Sequence, residues 1–245
     1  MKNLTCFLLT FALALCVCAS ATAQSNANAN RKEADSPPGP NDAGSLSDDQ
    51  IAAALKSALE IGSTKAIANA GRSDGFLNNE AIRILLPTKL QSVGKAMRLL
   101  GEGDTVDDME IGMNRAAERA TPQAKQIFLV AITKMTVANP RGILTGGMTA
   151  ATEYFEQTCS ADITTALTPI VHNAMQHGGV IKKYDHVIKT APGGSAIANE
   201  FDLDKYVVSK ILDGLFYLLG QEEIKIRTTP SAQTTPLLKE VFGAK

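Results

Sequence analysis

The sequence predicts an all-α protein, a single-domain bundle of about nine helices with one short extended segment near residues 82–86. Three observations predict it. From Ser45 onward, apolar residues recur at intervals of three and four, the helical spacing. Helix starts and stops are marked by capping residues, glycines and prolines, with short connections between them. Finally, no alternating strand pattern repeats, so the weakly alternating Ile82-Arg83-Ile84-Leu85-Leu86 before Pro87 has no partner with which to form a sheet.

The first 44 residues read differently from the rest. Lys2 precedes an apolar run from Leu4 to Val17, and Ala21-x-Ala23 has the small-residue spacing of a signal-peptidase site, so residues 1–23 are expected to be a signal peptide cleaved between Ala23 and Gln24. The run is shorter than the roughly 20 residues a membrane span needs, which argues against an anchor. Cys16 and Cys18 follow Leu15 and Val17 instead of small residues, which argues against a lipoprotein. The expected location is therefore the periplasm, with no integral membrane segment after cleavage. Residues 24–44, with Ser36-Pro37-Pro38-Gly39-Pro40 and no aromatic or branched aliphatic side chain, are expected to be a disordered linker. Residues 45–245 form the expected helical domain.

Cleavage changes the composition. Of the four cysteines only Cys159 would remain, so an exported chain would have no intramolecular disulfide and would depend on its core. Loss of Lys2 would move the net charge from −1 to −2. Such a balance lacks the basic footprint of a nucleic-acid binder, and none is expected as a partner.

Within the domain, Ser47 and Gln50 make a capping box for a helix that ends near Gly71, followed by a loop through Asn79. Thr88 is expected to cap a helix through Leu99, and Asp104 or Thr105 one through Ala120. Thr121-Pro122 reads as a cap followed by a first-turn proline, opening a helix through Met135. A short segment from Thr136 to Leu144 and a helix from Met148 to Thr158 come next. Ser160 then reads as the cap of a helix through Gln176, kinked at Pro169. Val180 to Lys189 is a further short helix. Asp202 caps the longest one, ending near Arg227, and Thr235-Pro236 opens the last turns before Gly243.

Several stretches, in order, resemble the bacterial family of exported proteins known as DUF4197. They are Asp74-Gly75-Phe76-Leu77-Asn78-Asn79 with Ile82-Arg83-Ile84 and Leu86-Pro87, Gly112-Met113-Asn114-Arg115-Ala116-Ala117-Glu118, Met135-Thr136, Ile143-Leu144-Thr145-Gly146-Gly147, Ala150-Ala151-Thr152-Glu153-Tyr154-Phe155, and Pro169-Ile170-Val171. The likeness continues through Asp202-Leu203-Asp204-Lys205-Tyr206-Val207, Leu212-Asp213-Gly214-Leu215-Phe216, Glu222-Glu223 with Ile226-Arg227, and Thr234 to Lys239 with Val241-Phe242-Gly243. The resemblance implies an exported, mostly helical single domain and no particular activity. Met175 to Gly179 and Ala191 to Asn199 depart from the family pattern, and no function is placed there.

Recognisable chemistry is sparse. His172 and His177 stand five residues apart, about 140° around a helix, and neither His-x-x-x-His nor Glu-x-x-His occurs with His186, so no metal or other cofactor is expected. Asp104, Asp107, Asp108 and Glu110 lack the pattern of a calcium loop and suit the start of a helix. Gly146-Gly147 has no following Lys and is no phosphate loop. Cys159, read as adjoining a helix start at Ser160, has no base beside it in sequence, and Glu223 and Arg227 have the order of a surface ion pair.

Two polar groups on apolar helices are left as candidates for a ligand cleft: Asn114, Arg115 and Glu118 beside the stripe of Met109, Met113, Ala116, Ala117 and Ala120, and Tyr206, Lys210, Asp213 and Tyr217, joined by Arg83. The competing reading of the same residues is a structural network that sets helix register. The expected function is a non-catalytic periplasmic protein that binds a small or amphipathic ligand or an envelope partner. The alternatives are an envelope hydrolase using Glu153, Asp213 or Glu222, and a structural protein of the envelope.

Overall fold

The computed structural model describes residues 46–198 and 200–243. The expected signal peptide, its cleavage site and the whole of the expected linker lie outside the described residues. Four long helices make the framework: α1 (Asp48–Ala70), α3 (Gly103–Lys134), α5 (Ala150–His177) and α8 (Leu203–Thr228), with α2 (Thr88–Leu99), α4 (Pro140–Leu144), α6 (Val180–Thr190), α7 (Gly194–Ala198) and α9 (Pro236–Phe242) between and after them. The fold is all-α, a single domain, with no strand among the described residues. No described helix is long and apolar enough to cross a membrane.

The long helices close a ring: α1 packs on α3 and α8, and α5 packs on the same two. Its centre is filled by side chains at helical spacing, Leu55 and Leu59 from α1, Met109 and Met113 from α3, and Ile211 and Leu215 from α8, all essentially inaccessible. Phe128, Phe155 and Phe216 bring α3, α5 and α8 together with ring centroids 5.5 to 5.7 Å apart. Each such pair adds about 1 kcal/mol beyond area burial. Gly62 permits a close approach of α1 to α8, since a Cβ there would lie 2.7 Å from Leu219 Cδ1.

Most helix ends follow the capping residues. Ser47 and Gln50 bond each other's backbone N–H groups at the start of α1; Asp202 caps α8 through Lys205 N–H at 2.9 Å, and Thr235 caps α9 through Leu238 N–H at 3.2 Å. Asn139, which sequence inspection did not single out, caps α4 through Gly142 N–H at 2.9 Å. Thr88 is the first residue of α2, not its cap; Pro87 holds that position.

Two expected breaks are absent. Residues 103–134 form one helix containing Pro122, and residues 150–177 one helix containing Ser160 and Pro169. The reason is visible in burial. On α3 the stripe Met109, Met113, Ala116, Ala120, Ala124, Phe128, Ile132 crosses Pro122 without a change of phase, as does Phe155, Cys159, Ile163, Leu167, Val171, Met175 on α5. A helix break would rotate half of each stripe out of the core, which outweighs the roughly 3 kcal/mol cost of an interior proline. Thr121, read as a cap, instead donates its hydroxyl to Ala117 O at 2.8 Å.

Candidate functional site

The predicted polar residues are placed by the connection from α1 to α2, which crosses α3 and α8 without regular structure. Glu118, buried on α3, accepts from the backbone N–H groups of Phe76 and Leu77 at 3.2 and 3.1 Å. Arg115 bridges Glu118 and Asp74 at 2.8 and 2.7 Å. Asp74 holds a left-handed φ of 63° there. Asn114, fully buried, accepts from Ile84 N–H at 2.8 Å and donates to Ile84 O at 2.7 Å. Its carboxamide thus does for the 82–86 segment what a neighbouring strand would do.

Arg83 pairs with Glu110 at 2.9 Å, and Glu110 also accepts from Leu86 N–H. From the other side, Tyr206 donates its hydroxyl to Leu85 O at 2.9 Å, and burial raises that phenol's pKa. Gly214 lets the segment pass close over α8, since a Cβ there would meet Ile82 and Phe76. Arg83, Asn114, Arg115, Glu118 and Tyr206 are therefore brought together as fastenings of one connection.

The remaining three, expected on a covered face of α8, lie toward solvent. Lys210 and Asp213 form an exposed pair at 2.7 Å, which raises the lysine pKa. Tyr217 is 48% exposed. Asp213 and Tyr217 do border a cleft of about 340 Å³ with Glu153 and Glu156. Burial, then Asp213 and Glu153, raise the Glu156 carboxyl above its usual range. Glu222, the third acid of the hydrolase reading, is away from this cleft and paired with Lys225 and Lys65.

Glu223 and Arg227 do form an ion pair, but it is buried, not on the surface. Glu223 also accepts from Ala151 and Thr152 N–H at 3.0 and 2.7 Å, so the carboxylate at the start of α5, after Gly146-Gly147, is supplied by α8. Three of the four acids at the start of α3 are similarly engaged, Asp107 with Arg98, Asp108 with Lys183 and Glu110 with Arg83, while Asp104 is exposed and has no ion-pair partner among the described residues. His172 meets Asp204 at 2.7 Å and His186 meets Glu102 at 3.6 Å.

A different feature stands open. Between the second half of α3 and the middle of α5 runs a trench of about 700 Å³. Ile127, Val130 and Ala131 line one wall, Cys159, Ile163 and Ala166 the other, and Met135, Thr136 and Ala138 close one end, where Tyr154 donates to Thr136 O at 2.7 Å. No other helix lines it. Polar side chains are confined to a few positions, among them Gln126, Lys134, Thr158 and Asp162. Cys159 lies mid-helix, not at a helix start, and burial followed by the nearby Asp162 raises its thiol pKa. One step further along the same helices, Arg119, Gln123, Asn173 and His177 border a smaller cleft of about 360 Å³.

The trench offers mainly apolar contact, and the buried charged side chains elsewhere, Glu118, Glu222, Glu223 and Arg227, are tied into ion pairs within the fold. A family model described as a protein of unknown function, DUF4197, matches residues 45–243. The chain belongs to the DUF4197 family. No curated protein and no solved structure matches it. The DUF4197 match covers the whole helical ring and both ends of the trench.

Sequence inspection of this DUF4197 chain missed the trench because the core stripe of α3 was the feature sought. A signal for it is present. Ile127-Phe128-Leu129-Val130-Ala131-Ile132 is a continuous apolar run in a helix whose core stripe uses only Phe128 and Ile132, and the surplus must face something other than the core.

Proposed function

We propose that this chain is an exported, non-catalytic helical protein of the periplasm that binds a small or amphipathic ligand in the α3/α5 trench. The observation that carries the reading is the trench itself: a volume of about 700 Å³ walled mainly by aliphatic side chains, with Val130 39% exposed in it. That volume falls within the range of small-molecule pockets, and its mostly apolar lining with a few polar groups has the character of one. The periplasmic location rests on Lys2, the Leu4 to Val17 run and Ala21-x-Ala23.

The test is saturable binding of the neutral apolar fluorophore N-phenyl-1-naphthylamine to the mature chain, with Ala166→Phe as the blocking variant. Ala166 is exposed on the trench wall, so the larger ring fills the trench without entering the core. One-to-one binding abolished by Ala166→Phe is expected; no saturable binding refutes the reading. Mass spectrometry of small molecules that co-purify with the chain from the periplasm tests its location and identifies what it carries.

A second reading, carboxylate-assisted hydrolysis, is favoured by the shared cleft of Glu153, Glu156 and Asp213 and by the raised Glu156 carboxyl. Turnover of an envelope glycan that is lost in Glu156→Gln with folding intact would establish it over the binding reading.

A further inference from the structure

We infer that the trench takes an anionic amphiphile, its carboxylate or phosphate head held at Arg119 and His177 and its chain laid along the α3/α5 seam. The inference rests on the trench being the binding site and names the ligand class. Its first support is continuity. The helices run antiparallel, Arg119 reaching Ala174 O near one end and Cys159 meeting Ala131 O further along. Gln123 on α3 is followed a turn later by Gln126 and Ile127, and Ile170 on α5 is preceded a turn earlier by Ala166. The small cleft and the long trench are thus successive stretches of one seam, which extends roughly 22 Å from Arg119 to Lys134 at 1.5 Å per residue.

Its second support is charge. The cleft at the Arg119 end is bordered by a guanidinium, an imidazole and two carboxamides, and by no carboxylate. Arg83, Arg98, Arg115, Arg141 and Arg227 each pair with an acid, and Arg72, among the described residues, does not. Arg119 pairs with none among the described residues: it donates once, to Ala174 O at 3.1 Å, and keeps its other N–H groups. His177 faces Asn173 O through Nδ1 at 2.7 Å, and its Nε2 has no partner among the described residues. The carbonyl end of α5 disfavours an anion here, but two of its last carbonyls are already engaged by these same side chains. Along the trench, Lys134 and Asp162 balance each other. A planar guanidinium with free donors at the end of an apolar trench is the arrangement that reads a carboxylate or phosphate head above a hydrocarbon chain. The sequence alone places no function in Met175 to Gly179; it is the geometry of the Arg119 end that brings in His177, and the reading is made for this chain.

The test is isothermal titration of the delipidated mature chain with four single-chain amphiphiles of equal length, each below its micelle concentration: decanoate, decyl phosphate, decyltrimethylammonium and decyl maltoside. Expected is binding of one or both anions about tenfold tighter than of the cation or the neutral sugar, the better of the two anions distinguishing a free fatty acid from a phosphate-bearing lipid. Arg119→Gln, which removes charge at an exposed position, should weaken the anions about tenfold and leave N-phenyl-1-naphthylamine binding unchanged, whereas Ala166→Phe should abolish all of them. Equal binding of all four, preference for the cation, or loss of anion binding in Lys134→Gln but not Arg119→Gln would overturn the headgroup assignment while leaving the trench reading intact. Failure of the fluorophore as well would sink both. A dimer in sedimentation that Ala166→Phe dissociates would give the seam to a second copy of the chain, against the inference.

Discussion

Substituting Glu223 by Ala tests whether the helical ring is closed at its α4/α5/α8 corner by a buried charge. The Glu223 carboxylate is 2% exposed and accepts from Ala151 N–H, Thr152 N–H, Thr152 Oγ1 and Arg227 Nε at 3.0, 2.7, 2.7 and 2.8 Å. Arg227, itself buried, donates to Leu144 O and Ile143 O and lies over the Phe242 ring at 5.5 Å. Removing Glu223 leaves a buried guanidinium without its counter-charge and the first N–H groups of α5 without an acceptor. Breaking one side of a buried pair costs about 3–5 kcal/mol. Urea unfolding should show a loss of that size with an unchanged slope, and hydrogen exchange should show the Ala151 and Thr152 amides opening first. Arg227→Met together with Glu223→Leu should cost clearly less than the sum of the single changes, because no charge is then left unpaired. A loss below about 1 kcal/mol for Glu223→Ala, the value for exposed pairs, would refute the reasoning.

Asn114→Ala should cost about 2–3 kcal/mol by leaving Ile84 N–H and C=O without partners, and limited proteolysis should then cut between Arg83 and Pro87 where the wild type resists. Asp107 has its pKa lowered chiefly by its hydrogen bond from Arg98. A lowered folded-state pKa stabilises above the unfolded value and is lost as pH falls through the folded one, so Asp107→Asn should lower Tm slightly at neutral pH and not at about pH 2–3. High salt should shrink the difference, since both side chains are more than half exposed. The raised Cys159 thiol should alkylate more slowly with iodoacetamide than a free cysteine at neutral pH, approach it in alkali, and slow further when decanoate is present.

How far the fold was legible depended on which sequence signal competed with which. Capping residues at Ser47, Asp202 and Thr235 worked because nothing downstream contradicted them. At Thr121-Pro122 and Ser160 the same kind of punctuation misled, because an unbroken four-residue apolar repeat ran across each. Local propensity costs a few kcal/mol at most, and rotating a stripe of Ala124, Phe128 and Ile132 out of the ring costs more. Asn114 and Glu118 stood out as polar residues on an apolar helix and are buried, whereas Lys210, Asp213 and Tyr217, read in the same way, lie toward solvent. The role of the buried two was not legible, because what satisfies Asn114 and Glu118 is the backbone of residues 76–84, some 30 to 42 positions away, and no spacing rule encodes that meeting.

The same accounting of partners bears on the proposed binding surface. The short helices are not spread evenly: α2, α6 and α7 gather near the first turns of α3 around Val93, Met97, Val106, Val187 and Ala191, while α4 and α9 lie against α1. That leaves the second half of α3 and the middle of α5 as a long-helix seam whose trench no other helix lines. Ile127, Val130, Ala131 and Ala166 leave apolar surface facing this seam, Gln126, Lys134, Thr158 and Asp162 are among its polar neighbours, and the guanidinium of Arg119 stands at its end. The buried charges Glu118, Glu222, Glu223 and Arg227 are all matched by partners within the chain, whereas the exposed Arg119 is not matched among the described residues, and the proposed ligand would supply both the apolar cover of the trench and that counter-charge.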